Sequence, residues 1–181
     1  MINEYSASDP TTGDASFSSQ TADNDSVIST LNGLIEICKD GQYGFKEAAE
    51  GIERSDLKSL FYEFAQQRSQ FAGELQTLVQ SLGGDPENAG SSLGAIHRGW
   101  INIKSAVMGR DDEAILDECE RGEDAAKDAY KNALEEGLPA QVLETVQTQY
   151  ESVQSAHDRV KALRNAARNE GGMTSSASTS S

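Results

Sequence analysis

Proline is nearly missing from this chain: there are three in 181 residues, at Pro10, Pro86 and Pro139. Proline breaks a helix by removing an N–H and crowding the preceding turn, so its scarcity leaves long segments free to be helical. Aromatic residues make up only 6%, and no segment alternates with period two, which argues against sheet. Two cysteines, Cys38 and Cys119, are too few for a disulfide framework. Both fall inside apolar helical stripes and read as buried thiols of a reducing compartment. Cationic side chains are also in short supply, 15 Lys and Arg against 30 Asp and Glu, for a net charge of −15. Such a surface does not grip nucleic-acid phosphates or anionic lipid. No apolar run is long enough to span a bilayer. The N-terminus lacks the basic stretch and apolar core of a signal peptide. The expectation is a cytoplasmic protein with neither nucleic acid nor membrane as partner.

What the chain has is Ala, Gln, Glu and Leu in four long segments with apolar residues at helical spacing. Residues 1–25 and 169–181 are rich in Ser, Thr, Asp and Gly and read as disordered tails. One domain over residues 26–168 remains. Its first helix is expected from Val27 to Glu53, with Ile28, Leu31, Ile35, Cys38, Gln42, Phe45, Ala49 and Ile52 on one face. The second runs from Ser55 to Leu82, where Gly83-Gly84 stops it, and carries Leu57, Phe61, Phe64, Arg68, Phe71, Leu75 and Leu78. The connection from Gly83 to Asp111 is too long for a turn and holds a short crossover helix with Leu93, Ile96, Trp100, Ile103 and Val107 inward. A third long helix follows from Asp112 to Glu136, with Leu116, Cys119, Glu123, Ala126, Tyr130 and Ala133 on its face. Gly137-Leu138-Pro139 breaks the chain, and a fourth helix reaches Arg168 with Val142, Val146, Gln149, Val153, Ala156, Val160 and Leu163.

Each stripe is interrupted by polar residues near its middle: Gln42, then Gln67 with Arg68, then Glu123, then Gln154 with His157. Reflecting Gln42 through the first turn lands on Gln67, and reflecting Glu123 through the second lands beside Gln154. If the segments form one bundle, the breaks meet at one height. The expected polar core layer is therefore Gln42, Gln67, Arg68, Gln70, Glu123, Gln154 and His157. Ferritin-like bundles hold two metal ions at that height, with a Glu from each of two helices and Glu-x-x-His from each of the other two.

Six stretches stand out: Leu31-Asn32-Gly33-Leu34-Ile35-Glu36-Ile37-Cys38-Lys39-Asp40-Gly41, Gln67-Arg68-Ser69-Gln70-Phe71, His97-Arg98-Gly99-Trp100, Gly109-Arg110-Asp111-Asp112-Glu113-Ala114-Ile115-Leu116, Glu120-Arg121-Gly122-Glu123-Asp124-Ala125-Ala126 and Ala156-His157-Asp158. Through them the chain from Thr30 to Ala166 resembles a bacterial four-helix-bundle family of the ferritin-like, rubrerythrin-related superfamily. What the resemblance implies is an all-α, ferritin-like up-down four-helix bundle with a short crossover helix. It brings no activity, and a stress-associated role is analogy alone.

Three readings of function compete. In the first the bundle is non-enzymatic and needs no cofactor, its centre a metal-free layer in which Arg68 pairs with Glu123 or Glu120. In the second it is an oxidoreductase or storage protein whose reduced iron or manganese site uses Glu120, Glu123 and His157. In the third its acidic faces bind a protein partner or a second copy. Two other signals read as structure. Gly90-Ser91-Ser92-Leu93-Gly94 matches a nucleophile elbow without the strand that motif requires. Asp111-Asp112-Glu113 suits a helix start and lacks the alternating ligands of a calcium loop.

Overall fold

The computed structural model describes residues 14–86, 100 and 102–177, with side chains over 24–86, 100 and 102–169. Within them the chain is all-helical: α1 (Asp14–Gly51), α2 (Ser55–Ser81), the short α3 (Ile103–Gly109), α4 (Asp112–Glu135) and α5 (Ala140–Ala177). Among the described residues there is no strand. No helix among them is long and apolar enough to cross a membrane.

The outer helices exceed their expected bounds. α1 starts at Asp14 rather than Val27, and α5 continues past Arg168 to Ala177. Once a bundle has nucleated a helix, adding residues costs only their weak individual propensities, so polar composition alone did not mark the ends. The disorder expected for residues 1–13 and 178–181 lies outside the described residues, as does the crossover segment 87–99.

Local chemistry ends the helices where the sequence suggests. Gly83, at φ 82°, takes the left-handed conformation after α2. The N–H groups of Gly83 and Gly84 then return to the carbonyls of Gln80 and Val79, a Schellman closure that spares buried carbonyls. Asp111 caps α4 through Oδ1, which accepts from the N–H groups of Glu113 at 3.0 Å and Ala114 at 3.2 Å. That accounts for the acidic run at this helix start.

Side-chain pairings set the topology. Phe45 on α1 meets Phe61 and Phe64 on α2, while Ile28, earlier on α1, faces Gly84 beyond the end of α2. Cys38 meets Tyr130, and the Glu53 N–H donates to Asp112, so α1 runs antiparallel to α4 as well. Tyr130 with Gln149 and Asp117 with Arg168 make α4 and α5 antiparallel. It follows that all neighbouring long helices are antiparallel, and that α2 and α4, joined by the long connection, run parallel.

The apolar core falls into two halves. One holds Leu31, Leu34, Ile35, Leu75, Val79, Tyr130, Val142 and Val146. The other holds Phe45, Ile52, Leu57, Phe61, Trp100, Ile103, Ile115, Leu116 and Val160. Each large side chain buried there contributes roughly 1.5–3 kcal/mol before entropy is charged against it. Trp100 fixes the crossover to the bundle. Its ring lies so close to Gly44 of α1 and Gly122 of α4 that a Cβ would stand 2.1 Å and 2.2 Å from it. Only glycine leaves that slot open.

Candidate functional site

Between the two halves, at the middle of the bundle, sits an ion pair. Arg68 projects from α2 and Glu123 from α4, and Nη2 meets Oε2 at 2.7 Å with both residues fully buried. Space for the arginine comes from α1, where a Cβ on Gly41 would lie 3.2 Å from Arg68 Cγ. Gln67 on the same helix accepts from Nη1 at 2.9 Å, and the guanidinium lies 5.6 Å from the centre of the Phe71 ring. The pair is incompletely satisfied: Arg68 Nε and Glu123 Oε1 have no hydrogen-bond partner among the described residues. Burial pushes the Glu123 carboxyl above its ordinary range, and Arg68 pulls it part of the way back. A fixed positive charge beside this carboxylate does not fit a centre built to hold two metal cations.

A second polar layer lies about two turns away and threads all four long helices. Tyr130 of α4 donates to Gln149 Oε1 of α5 at 2.7 Å, and Gln149 Nε2 donates to Glu74 of α2 at 2.7 Å. The Cys38 thiol of α1 stands 3.1 Å from the phenol oxygen, and either atom of that pair can donate. Burial lifts the Cys38 thiol to about 11, with the tyrosine contact opposing, and lifts Tyr130 well above its ordinary value. Burial likewise raises Cys119. Both cysteines are free and buried, so neither is a ready nucleophile or thiolate ligand.

The third cluster lines the seam between α4 and α5. Donor atoms of Glu120, Asp124 and His157 all lie within 4.8 Å of one another. His157 Nε2 is 2.9 Å from Asp124 Oδ1, and Nδ1 is 3.0 Å from Asp158 Oδ1. Cations already serve these carboxylates: Arg164 pairs with Glu120, and Lys127 stands 3.8 Å from Asp124. Arg168 extends the ladder to Asp117 at 2.7 Å. An open polar cleft runs past Asp117, Glu120, Asp124, Arg164 and Arg168.

A family model for a domain of unknown function, DUF2383, matches residues 26–136, more than half of the chain. The chain belongs to that family. The DUF2383 region takes in α1 from Ser26 through the end of α4, and with it Gly41, Arg68, Glu120 and Glu123. It stops short of α5, which supplies Gln149 and His157. No functionally curated protein matches the chain.

Against the residues expected from sequence, the DUF2383 bundle makes several corrections. Arg68, Glu123 and half-buried Gln67 do come together. Gln42, Gln70 and Gln154 are exposed and leave the layer. On α1 a seven-residue step from Cys38 to Phe45 can be filled at 41 or 42, and the inward position is Gly41. Burying glycine there is cheap, whereas a buried glutamine needs partners for its whole amide. On α5 the inward row runs Gln149, Val153, Ala156, His157, Val160, which turns Gln154 outward. Of the metal candidates Glu120, Glu123 and His157, the structure groups Glu120 and His157 with Asp124, while Glu123 faces Arg68. Asp124 was missed, although it stands one turn after Glu120. The Gly90–Gly94 motif lies outside the described residues.

Proposed function

We propose that this DUF2383 chain is a ferritin-like up-down four-helix bundle that acts as a non-enzymatic helical protein. In this reading an Arg68–Glu123 ion pair stands where that architecture keeps two metal ions. The topology supports the ferritin-like assignment, with antiparallel neighbours and a long connection between the parallel pair α2 and α4. The observation that carries the functional half is Arg68 itself, a cation at the centre with no exposure to solvent. Among the described residues, burial raises both thiols, Cys38 and Cys119, away from the reactive thiolate form. A link to stress responses rests on analogy with ferritin-like proteins and on no residue of this chain.

A second reading has one observation in its favour, the grouping of Glu120, Asp124 and His157. It makes the α4–α5 seam a single-cation site for iron or manganese, with Arg164 and Lys127 displaced. Metal analysis of protein purified without chelator or metal-binding tag separates the two. The first reading expects substoichiometric metal that no variant changes. Stoichiometric metal lost in His157→Ala and Asp124→Ala, but kept in Glu123→Gln, would favour the seam. Metal lost in Glu123→Gln would overturn the ion-pair reading.

A further inference from the structure

The outer face of α1 is crossed by a row of positions four apart: Ile28, Asn32, Glu36, Asp40 and Gly44. Steps of four advance about 40° round a helix, so the row winds from the α2 side of α1 to its α4 side. Both ends of the row are covered by the connection between those two helices. Gly84 lies against Ile28, and the Asp85 carbonyl accepts from Asn32 Nδ2 at 3.2 Å. At the other end the Trp100 ring closes on Gly44, and further along α1 Val107 stands against Gly51. Between these contacts come Glu36 and Asp40, both half-buried. Glu36 Oε2 is shut off from solvent with no hydrogen-bond partner among the described residues, and Asp40 Oδ2 is shut off as well. Burial and the neighbouring Asp40 lift the Glu36 carboxyl above its ordinary range, Lys39 opposing. Asp40 itself is engaged.

We infer that the middle of this row is the dock for the chain's own residues 87–99, with the Arg98 guanidinium set on the Asp40 carboxylate. The ends fix the route. About 18 Å of helix axis separates Asn32 from Gly44, and the chain from Asp85 to Trp100 has to cross from the first to the second. The shortest path follows the row over Glu36 and Asp40. Charge fixes the fit. His97 and Arg98 are the only basic residues from 87 to 99, and Glu87 is the only acidic one. Arg98 comes two residues before Trp100, and Asp40 comes one turn before Gly44. A long cationic side chain is thereby brought to a carboxylate already withdrawn from water, which is costly to keep there unless it is paired.

Limited trypsin digestion of the full chain tests this, because Arg98-Gly99 is itself a cleavage point. In the folded protein that bond should resist the protease. Asp40→Asn with Glu36→Gln should speed the cut by about tenfold or more, since cleavage follows the population of the undocked segment. Asp128→Asn, the same loss of charge on the exposed side of α4, should leave the rate unchanged. Circular dichroism checks that each variant folds. Charge exchange gives an independent reading with chymotrypsin, which cuts the same stretch at Leu93. Arg98→Asp should open that site, and adding Asp40→Arg should close it again. Ready cleavage at Arg98 in the natural chain would leave the row to another cation, such as a basic partner, and would overturn the assignment. So would a rate that the Asp40 and Glu36 changes do not move, or an exchange that restores no protection.

Discussion

Arg68 and Glu123 meet at 2.7 Å across the diagonal of the bundle, from two helices that run parallel. The contact divides the apolar core into two halves. Its cost and its consequence both follow from burial. Two charges removed from water must compensate one another, and neither can be deleted without stranding the other.

Acidity should reveal the buried carboxylate. Burial holds Glu123 above the ordinary glutamate range, Arg68 opposing. A carboxyl raised in the folded state contributes stability that is complete below the unfolded pKa and is lost as pH climbs through the folded one. Glu123→Gln has no such proton to lose. The stability of the natural chain minus that of Glu123→Gln should therefore fall through this window and level off above it. Urea denaturation of both proteins from about pH 4 to about pH 8 reads the difference. A difference that rises with pH would mean a depressed carboxyl and a wrongly described environment.

Thiol chemistry should be silent in the folded protein. Cys38 and Cys119 are both fully buried, and burial keeps both protonated well into the alkaline range. A disulfide reagent at neutral pH should find almost no reactive thiol in the native chain and two after denaturation. Fast native labelling of either cysteine would contradict the packing of Cys38 against Tyr130 or of Cys119 in its half of the core.

Glycine substitutions should separate by what they meet. At Gly44 or Gly122 an added methyl collides with the Trp100 ring, and overpacking of this kind costs about 1–3 kcal/mol. At Gly73 it meets nothing, and replacing helical glycine by alanine should stabilise by about 0.5–1 kcal/mol. Denaturation curves give the signs. A red shift of Trp100 fluorescence in the first two variants would locate the damage.

These outcomes also mark how far the sequence could be read. The order of the four long helices was legible because apolar steps of three and four persist for many turns, and Gly83-Gly84 and Gly137-Leu138-Pro139 interrupt them plainly. Arg68 and Glu123 were legible as charges set in otherwise apolar rows. Gly41 was not, since a missing side chain leaves no mark on a hydrophobic pattern and its neighbour Gln42 fills the same step. Gln149 and Tyr130 were visible on their stripes, yet the link through Cys38 and Glu74 needed the facing register of four helices. Asp124 escaped because it lies at the edge of α4, where only the placement of α5 brings it to His157.

The central claim is that an ion pair rather than a metal holds the middle of the bundle, and a double-mutant cycle on Arg68 and Glu123 tests it most directly. Arg68→Met alone should cost about 3–5 kcal/mol near neutral pH, because it leaves a buried carboxylate unpaired. That loss should shrink in mild acid, where Glu123 takes up a proton. Adding Glu123→Leu should recover part of it, and neither step should respond to chelator. If the account is right, the coupling is large and metal-independent. A cost within about 0.5 kcal/mol for Arg68→Met, typical of an exposed site, would contradict it. So would a coupling that vanishes when chelator is added.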